Sequence, residues 1–333
     1  MGFITVKNLT KEFRHTKRQE GLIGSITYLF SRNYSLIRAV DNISFEIAEG
    51  EVVGYIGRNG AGKSTTIKML TGILVPTSGK LEVNGIVPHK KRMQNARNIG
   101  VVFGQRTQLR WDIPVIETFR LLRDLYEIPK NIYKDNVNLF TEILELEGLL
   151  STPVRKLSLG QRMKCDLAAS FLHNPKIVYL DEPTIGLDIV VKESVRKFIK
   201  TLNKEQNTTI ILTTHDLDDI EDICLRTIAI DKGKIVFDGS IQEIIARFGK
   251  YKVLIFEVKE LEIMQTDKLP KCMEILEVEA HYLKIRINQE EISSSQAIRY
   301  IMNTFDVQDI SIEETSIESI VRRLYQEGWD AQS

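Results

Sequence analysis

The chain of 333 residues has little of what marks several large protein classes. Its three cysteines, Cys165, Cys224 and Cys272, are an odd number and scattered, which argues against a disulfide framework and against a cysteine metal site; packing is their expected role. No charge of one sign predominates: Lys+Arg and Asp+Glu both total 45, so the composition points to no nucleic-acid partner. No apolar run approaches the roughly eighteen residues of a membrane span. The longest candidates, around 210–212 and 253–256, have strand length. The first residues, Met-Gly-Phe-Ile-Thr-Val-Lys, lack the charged start and long apolar stretch of a signal peptide. Val6 stands where a myristoylation motif needs Ser or Thr. The expectation is a cytoplasmic protein with no covalent lipid anchor, long enough for two domains and without internal repeats.

What is present is a phosphate loop. Gly57-Arg58-Asn59-Gly60-Ala61-Gly62-Lys63-Ser64-Thr65 matches G-x-x-x-x-G-K-[ST] in full. An apolar segment, 51–56, precedes it as a buried strand, and 63–70 follows with helical spacing. In that setting successive backbone N–H groups and the helix N-terminus surround a polyphosphate, and the glycines let the backbone come close. Lys63 can neutralise the β- and γ-phosphates, and the Ser64 hydroxyl can ligate Mg²⁺. The chain is expected to bind a nucleoside triphosphate.

A second constellation lies at 177–182. Ile-Val-Tyr-Leu-Asp181-Glu182 is an apolar strand ending in two carboxylates. Asp181, delivered beside the phosphate loop, can hold Mg²⁺, while Glu182 can orient and deprotonate a water that attacks the γ-phosphorus.

Periodicity organises the rest. Residues 3–9, 43–48 and 81–87 alternate as an antiparallel sheet, and 99–103 reads as a buried strand. Residues 117–126, 133–146 and 161–172 carry apolar residues at helical spacing, and strands at 176–180 and 208–213 flank a helix at 190–203. This alternation implies a parallel sheet covered on both faces. Between the first two strands, 15–38 mixes basic residues with an apolar stretch, 22–30. Beyond 250 the pattern changes to strands at 251–258, 273–278, 282–287 and 307–312, with helices at 294–305 and 316–326, the last opened by a capping box at Thr315 and Glu318. The expected architecture is an α/β P-loop NTPase core with a mixed, mostly parallel sheet. It carries an antiparallel β subdomain and a helical subdomain at about 105–172, all within residues 1–248. A small α+β domain follows at 251–333.

Leu157-Ser158-Leu159-Gly160-Gln161 begins a helix some twenty residues before the carboxylate strand. With the other two motifs it makes the chain resemble the ATP-binding subunit of an ABC transporter over roughly residues 1–245. Leu159 replaces the first glycine of the family's L-S-G-G-Q signature, and Arg58 a proline common in its phosphate loop. The resemblance implies further positions. Gln105 stands at the Q-loop and would join Ser64 and Asp181 around Mg²⁺, with Gln108 as the alternative. Asp188 stands in the D-loop, His215 is the switch histidine contacting the γ-phosphate beside the catalytic Glu182, and Phe13 is the aromatic that stacks on adenine. Phe13 also fits a core aromatic. The family further implies a head-to-tail homodimer, in which ATP on one copy's phosphate loop meets Ser158, Gly160 and Gln161 of the other.

Without a membrane span the chain would dock on one or two kinds of integral-membrane permease, at the inner face of the cell membrane. Residues 105–115 suit that role, with Trp111 either an anchor in a partner's groove or packed in the helical subdomain. Residues 103–114 and the 15–38 insertion resemble a bacterial exporter branch related to viologen and drug efflux ATPases. The insertion suits either a membrane-facing amphipathic element or a loop beside the nucleotide. Two alternatives are a polysaccharide exporter ATPase, whose added domain would be a β-sandwich, and a soluble ABC-type ATPase without a transport role.

Overall fold

The computed structural model describes residues 2–16, 34–104, 106–214, 216–259, 269–270, 272–313 and 317–327. They form two compact units, Met1–Asp238 and Gly239–Ser333. The first opens with strands β1 (Ile4–Thr16) and β2 (Tyr34–Ile47). Strand β3 (Val52–Gly57) leads through the phosphate loop into α1 (Lys63–Leu70), and β4 (Ser78–Val83) pairs back on β1. Helix α2 (Arg92–Asn98) and β5 (Ile99–Phe103) come next. The helical subdomain holds α3 (Val115–Leu125), α4 (Lys130–Leu144) and α5 (Leu159–Phe171). Then follow β6 (Ile177–Asp181), α6 (Ile189–Gln206), β7 (Thr209–Thr213), α7 (Leu217–Ile223), β8 (Arg226–Asp231) and β9 (Lys234–Gly239).

The central sheet has the order β5-β6-β7-β3-β8-β9, and its pairings from β5 to β8 are parallel. Strands β3 and β7 are buried at every position, as strands covered on both faces must be; β3 is correspondingly apolar, and β7 has an apolar centre, Ile210-Ile211-Leu212, between two buried threonines. The carboxyl ends of β3, β6 and β7 bring Gly57, Asp181 and Thr213 to one edge, where open α/β sheets take their ligands.

The antiparallel sheet, in the order β2-β1-β4, reaches further than the alternation suggests. Pairing of β1 with β2 runs out to Thr16 opposite Tyr34. The interruption there is 17–33 rather than 15–38, and these residues lie outside the described ones. Cross-strand pairs carry the extension: Arg38 Nε donates to Glu12 Oε1 at 2.9 Å, and Phe13 stands opposite Ile37. The strand expected at 81–87 occupies 78–83 instead, because Asn84 (φ 47°) and Gly85 (φ 70°) turn the chain so that Ile86 bridges back to Val83. Helices α3, α4 and α5 begin two or three residues ahead of their periodic apolar positions, since Pro114, Pro129 and Ser158 set their first turns.

The second unit starts at Gly239 and takes in α8 (Ile241–Phe248), which the sequence reading assigns to the first domain. It continues with β10 (Tyr251–Val258), β11 (Met273–Glu279), β12 (Tyr282–Asn288), α9 (Ser294–Thr304), β13 (Val307–Glu313) and α10 (Ile317–Glu327). The strands form an antiparallel sheet ordered β11-β12-β10-β13. Leu254, Phe256, Leu283 and Ile285 pack from the sheet against Ala297 and Ile301 of α9. Thr315, half of the capping box expected at the last helix, lies outside the described residues.

Candidate functional site

The phosphate loop crosses from β3 to α1 with Arg58 and Asn59 exposed at its crest and Ala61 buried beneath. Gly60 and Gly62 have φ of 80° and 114°, values that L side chains resist. A Cβ on Gly57 would stand 2.5 Å from the Ile230 carbonyl oxygen, and one on Gly62 as close to that of Ala39. Glycine is therefore required both for conformation and for approach of neighbouring backbone.

Lys63 is 6% exposed, and its ammonium donates to the Gly57 carbonyl at 2.5 Å and to that of Arg58 at 3.3 Å. Burial pushes this ammonium below its ordinary pKa, against the pull of the Glu182 and Asp181 carboxylates. A polyphosphate here would supply the negative charge that burial withholds. Ser64 Oγ donates to Asp181 Oδ1 at 3.4 Å, and Thr213 Oγ1 donates to the same oxygen at 2.6 Å. Ser64, Lys68, Phe103, Gly104, Arg106, Asp181 and Glu182 line one cleft of about 390 Å³.

Glu182 has φ 57°, in the left-handed region, and its N–H donates to the Thr213 carbonyl at 2.9 Å. A non-glycine residue in that conformation is strained, and here the strain turns Glu182 out of the strand line just after Asp181. The backbone approaches closely at this turn: a Cβ on Gly104 would stand 2.5 Å from the Glu182 carbonyl oxygen.

Phe13 is 39% exposed, with Lys11 Nζ 5.2 Å from its ring centroid, so it is not a core aromatic. It lies opposite Ile37, two residues along β2 from the Ala39 carbonyl that abuts Gly62. That is about 7 Å of strand from the loop. Gln105 and His215 lie outside the described residues. Gln108, the alternative to Gln105, is bound to α5 instead: its N–H donates to Asp166 Oδ1 at 3.0 Å, and its Nε2 to the Asp166 carbonyl at 3.1 Å.

The signature residues form a different helix start. Ser158 Oγ accepts from Gln161 N at 3.2 Å while Gln161 Oε1 accepts from Ser158 N at 3.0 Å, a complete capping box. Gly160 is half-buried on this turn, and Leu159 is 41% exposed with its Cδ2 3.2 Å from where a Cβ on Gly186 would stand. Asp188 caps α6 by accepting from Val191 N at 2.9 Å. These hydrogen bonds of Ser158, Gln161 and Asp188 are local ones.

One network escapes the sequence reading. Asp219 is fully buried and accepts from Thr184 Oγ1 at 2.5 Å, from Arg196 Nε at 2.6 Å and from Thr214 Oγ1 at 3.4 Å. Asp216 joins through Lys192 at 2.5 Å and Arg196 at 3.9 Å. It fixes the turn after Glu182, the end of β7 and two helices in one arrangement. The sequence signal is only a polar Thr213-Thr214 pair at a strand end; Arg196 and Asp219 are joined by the fold alone.

Residues 40–185 match the family described as ABC transporter. The bacitracin transport ATP-binding protein BcrA of Bacillus licheniformis is 30% identical over 304 residues, covering 88% of this chain and 94% of that protein. The chain belongs to the ATP-binding subunits of ABC transporters. The methionine import ATP-binding protein MetN of Geobacillus kaustophilus is 32% identical over 247 residues, 71% of this chain and 72% of its own length. Other curated relatives match 97% of this chain at 28% identity, and the chain spans only 20% of their length. Among solved structures, the dimeric ATP-binding cassette MJ0796 in a post-hydrolysis state bound to ADP and Pi aligns with a TM-score of 0.59 and 25% identity, over 71% of this chain and 98% of that one. The ABC ATPase fold is thus shared, and ATP is the nucleotide to which this subunit's chemistry is directed. Among the described residues no helix is long and apolar enough to cross a membrane.

Proposed function

We propose that this ABC subunit hydrolyses ATP in a head-to-tail homodimer and drives an exporter by docking on separate permease subunits. The observation that carries the reading is the convergence of Ser64, Asp181 and Glu182 on one cleft at the carboxyl edge of the sheet, with the Lys63 ammonium near enough to feel both carboxylates.

The roles follow from chemistry. The loop amides and the Lys63 ammonium bind the phosphates, drawn together where α1 begins. Glu182, held out of the strand line by its strained backbone, orients water and takes its proton as the γ-phosphorus is attacked. The oxygens of Ser64 and Asp181, 3.4 Å apart, are a hard donor set suited to Mg²⁺, with Gln105 the third candidate. Bound there, the ion supplies neutralisation of phosphate charge. Phe13, exposed on the β1–β2 arm, stacks on the base. Ser158 keeps its own hydroxyl proton while accepting the cap bond, so it can donate to a γ-phosphate held by another copy. Closure excludes water, and loss of the γ-phosphate lets the halves part.

Trp111 is 50% exposed with the Arg162 guanidinium 5.6 Å from its ring centroid, a surface suited to a permease groove rather than to the subdomain core. The described part of the second unit is one antiparallel sheet backed by helix, not the facing sheets that the polysaccharide alternative expects.

The test is a Glu182→Gln chain with Mg-ATP, followed by sedimentation. A nucleotide-dependent dimer is expected; a chain that binds ATP and stays monomeric overturns the sandwich. Co-purification from detergent-solubilised membranes tests docking, and absence of any polytopic partner favours a soluble ATPase.

A further inference from the structure

Phe13 is an aromatic with little around it. It is exposed on the β1–β2 arm, and so is Ile37, directly opposite on β2. Residues directly opposite in an antiparallel pair share a face, so the two make one apolar surface turned to solvent. A ring in such a place has no core to fix its rotamer, and ordering it on binding costs a ligand part of its affinity.

One neighbouring side chain supplies support. The Lys11 ammonium stands 5.2 Å from the Phe13 ring centroid. The tip of that lysine is itself held, since Nζ donates to the Val75 carbonyl at 2.8 Å. The stretch that follows Val75 is bound to β1 twice more. Thr77 N donates to the Thr10 carbonyl at 2.9 Å, and Glu12 N donates to Thr77 Oγ1 at 2.9 Å. The adjacent carboxylate, Glu12, is taken by Arg38 at 2.9 Å and leaves the lysine to its carbonyl and ring.

An ammonium over an aromatic ring is drawn to the negative π-face, and it occupies that face. A flat base can then stack only on the other one. We infer that Lys11 is a positioning residue: held at Val75, it braces the Phe13 ring from one side and leaves the opposite side for the base of an adenine nucleotide. The inference rests on the reading that Phe13 stacks on the base, and on no property of the dimer.

The experiment titrates the full chain with Mg-ADP in a calorimeter, because ADP carries the base and has no γ-phosphate to lose. Lys11→Ala is expected to weaken ADP about two- to fivefold, the range of an exposed cation–π contact. In a Phe13→Ala background the same change is expected to cost nothing further, since a brace without its ring has no task. Lys11→Arg keeps a cation and a donor and is expected to restore the parental affinity. Should Lys11→Ala fail to fold, Lys11→Gln removes the charge and keeps most of the stem, with the same losses expected.

Equal losses with and without Phe13 overturn the inference, because they mark a damaged strand rather than a released ring. An unchanged affinity without the lysine also overturns it, as does an arginine chain no better than the alanine one. A tighter affinity overturns it too, since the lysine would then cover the face that the base needs. Phe13→Ala separates the inference from the reading beneath it. If that change leaves ADP affinity at the parental value, the stacking reading fails and the inference with it. If it weakens ADP while Lys11→Ala does not, the inference alone fails.

Discussion

Two helix N-termini carry the candidate site, and they are built in opposite ways. At α1 the N-cap is Gly62, no side chain caps the first turn, and Lys63 is folded in against the loop carbonyls. At α5 the N-cap is Ser158, and Gln161 completes a reciprocal cap with the turn exposed. The first terminus leaves amide donors for a ligand to satisfy, whereas the second satisfies its own and has a hydroxyl proton to offer. An uncapped, glycine-led end leaves amides that an anion can complete. A capped end holds its shape alone and can be carried to a site elsewhere. The difference is what a site divided between two copies requires.

Lys63→Ala strikes the first terminus and should have the largest effect. Nucleotide-dependent stabilisation, about 2.7 kcal/mol at a hundredfold excess over Kd, should vanish in thermal melts, and turnover with it. Retained stabilisation would mean that the amides suffice and that the two termini differ less than their geometry implies.

Glu182→Gln leaves both termini intact and removes only the base. Turnover should fall by about 10²- to 10⁴-fold while equilibrium binding of ATP is kept; an unchanged rate in a coupled phosphate-release assay would take the base role from Glu182. Ser158→Ala strikes the second terminus. Loss of the cap should cost about 1 kcal/mol of stability, and turnover should drop roughly tenfold with single-copy ATP affinity untouched. If only the melting temperature moves, the serine is a cap and nothing more.

The smallest effect concerns pH. Burial, opposed by the bond from Gln108 N–H, raises the Asp166 carboxyl from 3.8 to about 6. A folded-state value above the unfolded one means the contribution to stability is whole below pH 3.8 and is lost as pH rises through about 6. Asp166→Asn removes that loss. Melting of variant and parent should therefore diverge across this window, with the variant ahead by on the order of 2 kcal/mol at neutral pH. Parallel curves would show that the carboxylate is better solvated than its burial implies.

What could be read along the chain was local. The loop 57–65 lies between its strand and helix because glycine, lysine and serine have meanings at fixed offsets there. Asp181 and Glu182 were legible as the end of an apolar strand, and Ser158 as a helix start. The sequence reading assigned no element to α2, α7, β8 or β9, segments that are short or carry polar residues at buried positions such as Asn95, Asp219 and Thr227. The reach of β1 and β2 past Phe13 was equally hidden, since exposed strand ends lack a buried face to mark them.

Composition and motif spacing by themselves determined that this chain binds a nucleoside triphosphate, builds an α/β core and appends a smaller α+β unit. Those properties need only short-range order: a turn that admits phosphate, and a period that hides apolar surface. Tertiary structure alone decided that Asp219 would lock Thr184 to Arg196, that Asp166 would hold the loop at Gln108, and that Glu182 would sit in a left-handed turn beside Gly104. Each is a polar contact between residues far apart in the chain, and a buried charge has no sequence pattern of its own. It can be placed only once packing has chosen its partners.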